Sequence, residues 1–288
     1  MQPDLVWIKC RSNTENHVVH DSVRGATEVL HSDTTDGEYT VAQGLKSFGS
    51  DGFTLGTSNF VNQSSRTFVA WCWKGGTTSG IAGSADMTPN AYSFNQTSGF
   101  SIVTYNGTDV NGNTVLHGLG AVPHFMIVKR RVSNGYDWIV YHKDDVAGLY
   151  LNSTEINNDS SSTNIWFHGQ TPTSTQFHIG TDGRIGDNVS TGAFVAYCFA
   201  PKQGFSKCDK FIGSGSSDGT FVYTGFRPAW VMFKNASAGS SNWQIYDSKR
   251  NGYNGSNELF RANATDVGEV VDPIDILSNG FKQLNTAA

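Results

Sequence analysis

Pro3-Asp4-Leu5-Val6-Trp7-Ile8-Lys9 is the stretch on which the fold turns, because the chain writes it again twice. The second copy is Pro123-His124-Phe125-Met126-Ile127-Val128-Lys129 and the third is Pro228-Ala229-Trp230-Val231-Met232-Phe233-Lys234. Each run is apolar at successive positions and closes on lysine, the pattern of a strand covered on both faces. Proline stands at the start of each, where its missing N–H costs a ladder least.

Further blocks recur in the same order after each proline. His17-Val18-Val19-His20-Asp21-Ser22 matches Trp138-Ile139-Val140-Tyr141-His142-Lys143 and Trp243-Gln244-Ile245-Tyr246-Asp247-Ser248. Turn residues such as Asn134-Gly135 precede this block, so anchor and block read as a hairpin. Ser50-Asp51-Gly52-Phe53, Thr181-Asp182-Gly183 and Ser278-Asn279-Gly280-Phe281 supply turns that need positive φ. The most specific match pairs Phe68-Val69-Ala70-Trp71-Cys72-Trp73 with Phe194-Val195-Ala196-Tyr197-Cys198-Phe199. Gly99-Phe100-Ser101 and Gly204-Phe205-Ser206 each open a unit, 24 residues before its proline.

These periods predict an all-β chain of tandem antiparallel β-sandwich repeats, lectin- or jelly-roll-like. Residues 1–80 form a unit lacking its first strand, 81–98 a linker or loop, 99–203 a complete unit, and 204–288 a unit lacking its last strand. Such a chain is cut from a longer array or completes its end units with neighbouring strands. Helical periodicity is thin, and only residues 21–30 and 274–277 suggest short helices.

Composition bounds the function. Among 288 residues, 16 % are charged, 12 % aromatic and 32 are glycine, with 20 Lys+Arg against 25 Asp+Glu for a net charge of −5. That balance argues against a nucleic-acid backbone binder, which needs a basic face. No apolar run is long enough to span a bilayer, and no membrane insertion is expected. Residues 1–9 lack the basic and apolar regions of a signal peptide. Four cysteines, Cys10, Cys72, Cys198 and Cys208, are too few for a disulfide framework. Cys10 and Cys208 remain a conceivable pair, although synthesis in a reducing cytosol is expected.

Candidate chemistry reduces mostly to architecture. Gly215-Ser216-Ser217-Asp218-Gly219 has the spacing of a nucleophile elbow but lies between strand-like runs, not between a strand and a helix. His17, His20 and Asp21, joined by His31 or His142, suggest metal ligands; on a strand, however, His17 and His20 face opposite ways. Asp21-Ser22-Val23-Arg24 recurs as Asp247-Ser248-Lys249-Arg250, favouring a turn whose Asp accepts backbone N–H bonds and whose Arg pairs locally. The middle unit departs there, with His142-Lys143-Asp144-Asp145. Asp144 and Asp145 are candidate ligand contacts or calcium-binding loop residues, without EF-hand spacing. Trp166-Phe167-His168 has no counterpart elsewhere and is the best aromatic candidate for sugar stacking. No catalytic residue, metal ligand or cofactor is assigned. A carboxylate pair for sugar hydrolysis stays the enzyme alternative.

Four stretches carry a family resemblance: Pro3–Lys9, Asp21-Ser22-Val23-Arg24-Gly25-Ala26, Ser50-Asp51-Gly52-Phe53-Thr54-Leu55-Gly56 and Val69-Ala70-Trp71-Cys72-Trp73-Lys74. They resemble tandem modules of unknown function in marine bacteriophage and metagenomic viral proteins. The resemblance implies a β-rich virion component, such as part of a tail fibre or spike. Its implied partners are other virion proteins, copies of itself (a homotrimer) and a host-surface glycan. A lectin-like module outside a virion is the alternative, and a glycan depolymerase the more distant one.

Overall fold

The anchor runs become strands because every second side chain has a different core to enter. The computed structural model describes residues 1–156, 166–187, 192–237, 239–250, 254, 257–271 and 273–284. It begins with β1 (Leu5–Cys10), β2 (Val18–Asp21), β3 (Gly25–Leu30), β4 (Tyr39–Thr40), β5 (Leu45–Gly49), β6 (Gly52–Leu55), a one-turn helix α1 (Asn59–Asn62) and β7 (Phe68–Trp73). Next come β8 (Ala91–Asn95), β9 (Phe100–Asn106), β10 (Thr114–Leu116), β11 (Phe125–Arg130), β12 (Ile139–His142), β13 (Asp145–Tyr150), β14 (Gln176–His178) and β15 (Ala193–Phe199). The last stretch holds β16 (Phe221–Tyr223), β17 (Trp230–Phe233), β18 (Gln244–Asp247), β19 (Asn257–Arg261), β20 (Glu269–Val271), β21 (Ile274–Leu277) and β22 (Gly280–Gln283).

The chain is thus nearly all β, and every named strand pairing is antiparallel. The arrangement is propeller-like. Its four largest sheets run β4-β3-β2-β1-β7, β13-β12-β11-β15-β9-β8, β17-β18-β19-β20 and β16-β22-β21; β5-β6 and β10-β14 form two-stranded ribbons. Register repeats as faithfully as sequence: Trp7 faces Trp71 across β1 and β7, and Ile127 faces Tyr197 across β11 and β15.

Alternation along the anchors divides the interior. Leu5 and Trp7, Phe125 and Ile127, and Trp230 and Met232 point into or against one large core shared by three sheets. The intervening residues point outward into three smaller cores. Val6 and Ile8 meet Leu45 and Val61, Met126 and Val128 meet Phe177, and Val231 meets Ile276 and Phe281. The doubly apolar runs therefore serve two cores each. The units are not self-contained sandwiches, because the largest core belongs to all three sheets.

Two expected helices are strands. Residues 21–30 end β2 and form β3, whose Leu30 enters the shared core, so cross-strand pairing overrides local preference. Residues 274–277 are β21, paired with β22 through the two-residue turn Ser278-Asn279. The stretch expected as a linker holds β8, which joins the six-stranded sheet through β9. The Gly215–Gly219 loop is not a hairpin, since β16 pairs with β22. All four cysteines are free thiols, Cys10 and Cys208 included.

Candidate functional site

The recurring Asp-Ser-x-Arg block is a buried turn. Asp21 Oδ1 accepts the N–H groups of Val23 and Arg24 at 3.0 and 2.8 Å, while its Oδ2 accepts Arg24 Nε at 2.5 Å. Asp247 repeats this on Lys249 and Arg250, with N–H distances of 2.9 Å and an Arg250 Nε contact of 2.5 Å. Each carboxylate also receives a donor from another sheet. Tyr197 Oη on β15 donates to Asp21 at 2.7 Å, and Trp71 Nε1 on β7 donates to Asp247 at 3.0 Å. Arg24 completes its set with Glu38 at 2.8 Å and the Val19 carbonyl at 2.9 Å.

A second set of contacts runs between sheets in the same direction. Trp138 Nε1 donates to the His31 carbonyl and Trp243 Nε1 to the Tyr150 carbonyl, both at 2.7 Å. Lys129 Nζ reaches Thr35 O at 3.1 Å, and Lys234 Nζ reaches Ser153 O at 2.9 Å. Burial pushes both ammonium groups down to about 8. The first unit puts His17 where the others have tryptophan. His17 accepts Trp7 Nε1 at 2.9 Å and lies edge-on to Phe260, and burial drives its pKa well below the ordinary histidine value.

The histidines suggested as metal ligands are thus dispersed in packing roles. His31 Nδ1 donates to the His17 carbonyl while its Nε2 accepts from Tyr39 Oη, and His20 Nδ1 donates to the Ala26 carbonyl. Among the described residues, no three His, Cys, Asp or Glu side chains gather as a metal group. His117 is held neutral: its Nδ1 accepts the Leu119 N–H at 3.2 Å and its Nε2 donates to Thr173 O at 3.1 Å. Burial lowers both His20 and His117 to about 4. The unfolded chain binds these protons near 6.5, so their stabilising share is full above 6.5 and is lost as pH falls to 4. Asp33 opposes this, because burial raises it to about 7 and its share is lost as pH rises through 7. With His17, His20, His31, His117 and His142 all lowered by burial against one raised carboxyl, the urea midpoint is expected to fall between pH 6.5 and 4. His117→Gln should flatten that slope by up to about 1.4 kcal/mol per pH unit. An unchanged slope in the variant would remove His117 from the account.

Trp166 and Phe167 are core residues, correcting their reading as a sugar platform. They are 2 % and 1 % exposed, with Trp166 edge-on to Tyr150 and Phe167 to Tyr141. Gly148 makes this possible: a Cβ there would stand 2.6 Å from Trp166 Cε3, at a φ of +84°. His168 lies at the surface on Asn111 Oδ1 at 3.0 Å. Asp144 and Asp145 are elsewhere, beside a large groove. Asp144 pairs with Lys143 at 2.8 Å, which holds its carboxyl below the usual range, and Lys143 also meets Asp209 at 3.0 Å.

That groove has a volume of about 1660 Å³. One wall is β17, with Trp230 and Met232 half-buried. Residues 205–212, which form no strand, also line it, with Phe205 63 % and Ile212 84 % exposed and Phe211 edge-on to Phe233. His142, Asp144 and Asp145 also line it. His142 occupies the sequence position held by Asp21 and Asp247 in the other units, and burial lowers its pKa. Sequence reading missed Trp230, Met232 and Phe205 as site residues.

Fold and groove together define an all-β module of interlocked sheets. The whole chain, residues 1–288, matches the family described as a domain of unknown function (DUF7483), and it belongs to that family. No curated protein and no solved structure matches it.

Proposed function

We propose that this chain is a non-enzymatic structural and adhesion module of a virion appendage such as a tail fibre, meeting a host-surface glycan through its loops. In this reading it is built from three tandem two-layer β-units, over residues 1–80, 99–203 and 204–288. It works exposed on the particle among other virion proteins or copies of itself. The supporting observation is where the repeated charges go. Asp21 with Arg24, and Asp247 with Arg250, are nearly excluded from solvent and serve to pin turns and neighbouring sheets. Repetition has been put into rigidity, leaving loops free to vary, as an exposed appendage requires. The resemblance of the repeated blocks to bacteriophage modules supplies the setting. No helix among the described residues is long and apolar enough to cross a membrane.

A glycan array probed with the purified chain tests this, with and without chelator, alongside product analysis on retained glycans. Retention unaffected by chelator, with the glycan intact, is expected. Loss of retention with chelator would favour a calcium-dependent lectin. Shortened glycans would replace the proposal with a depolymerase.

A further inference from the structure

The three sheets around the shared core meet in a cycle, and one of their seams is built differently. Lys129 and Trp138 carry the second sheet to the first, at Thr35 O and His31 O. Lys234 and Trp243 carry the third sheet to the second, at Ser153 O and Tyr150 O. Between the first and third sheets the matched residues are Lys9 and His17. Lys9 Nζ turns back to its own sheet, to Cys10 O at 2.8 Å and Asn13 O at 3.4 Å. Arg261, paired with Gln244 as Tyr150 is with Ile139, stands at the register position whose carbonyl an indole would reach. His17 Nδ1 accepts Trp7 Nε1, so the proton of the neutral ring is on Nε2. That atom is buried and has no acceptor among the described residues.

We propose that the seam between the first and third sheets is a gate, which parts ahead of the seam between the first and second in an opening short of unfolding. Each sheet keeps its own ladders when it parts; only the crossing contacts are lost. Those contacts are Trp71 Nε1 to Asp247, Ser32 Oγ to Ala262 O at 2.7 Å, Gly268 N–H to Arg11 O at 3.0 Å, and Arg11 to Glu258 at 2.6 Å. The Arg11 side chain is 27 % exposed, so water weakens that ion pair. The seam between the first and second sheets holds the matching amide bond, Glu38 N–H to Arg131 O at 2.7 Å. It adds Gly135 N–H to Thr35 O and Gly37 N–H to Asn134 Oδ1 to the Lys129 and Trp138 crossings. A buried donor left unmade costs more than a made bond gains, so the unpaired His17 N–H is relieved by opening. Parting also returns Lys9 to water from above the Phe260 ring, where burial lowers its pKa. Trp71 and Phe260, edge-on at 6.2 Å across the seam, become accessible aromatic surface.

The test is amide exchange on the full chain at pH 7, read at Gly268 and Glu38, whose N–H groups cross the two seams to matched arginine carbonyls. After correction for intrinsic rates, Gly268 should be protected roughly tenfold less than Glu38. His17→Trp installs the residue that the other two sheets carry. It should raise protection at Gly268 by roughly tenfold and leave Glu38 unchanged. Ser32→Ala is an independent arm that removes a crossing bond without enlarging a side chain. It should lower protection at Gly268 by about fivefold and again spare Glu38. Equal protection of the two amides in the parent chain overturns the proposal. So does an unmoved Gly268 in a folded His17→Trp chain, or a Ser32→Ala effect shared by Glu38. Where the indole prevents folding, the parent comparison and Ser32→Ala decide.

Discussion

Asp21→Ala is expected to cost about 3–5 kcal/mol of folding stability, because it strands a guanidinium the fold has removed from water. The side chains of Asp21 and Arg24 are both wholly excluded from solvent. Removing the carboxylate leaves Arg24 with Glu38 at 2.8 Å and the Val19 carbonyl, but without its closest anion. It also leaves two turn N–H groups and the Tyr197 hydroxyl without their acceptor. Tyr197→Phe deletes one of these bonds and should cost about 1 kcal/mol. Asp144→Ala breaks an ion pair whose side chains are 29 % and 23 % exposed, and should cost no more than about 1 kcal/mol. Urea titrations at constant m-value separate the three. If Asp21→Ala falls within the range of Asp144→Ala, the buried turn is not the structural element described above.

What the sequence made legible is what it repeats. Three anchors, three following blocks and two Asp-Ser-x-Arg turns identified β1, β11 and β17, their hairpin partners, and the internal use of Asp21 and Asp247. Other stretches were misread. Trp166 and Phe167 have no counterpart, yet they fill a core because Gly148 yields the space for the indole. Residues 21–30 looked helical in isolation, and pairing with β2 and β4 makes Gly25–Leu30 a strand. The shared core was illegible for a more general reason: period-2 alternation says that both faces of β1 are buried without saying against what.

Whether three sheets fold as one body or as three can be decided at Trp138. Its ring is 1 % exposed in the shared core, and its N–H reaches across to the His31 carbonyl of the neighbouring sheet. Trp138→Ala should cost about 3–5 kcal/mol through the cavity it leaves. Trp138→Phe keeps most of the packing, leaves the His31 carbonyl with only the Thr34 N–H at 3.5 Å, and should cost about 1–3 kcal/mol. The form of the loss carries more than its size. Leu5, Ile127 and Ile245 come from three different sheets and share the core with Trp138, so none of those sheets can bury its inner face alone. Calorimetry of the Trp138→Ala chain should therefore show the entire transition moving to lower temperature as a single peak. A split thermogram, with one component unmoved, would mean independently folding sandwiches in tandem, and the inter-sheet contacts would then be a veneer over separable units.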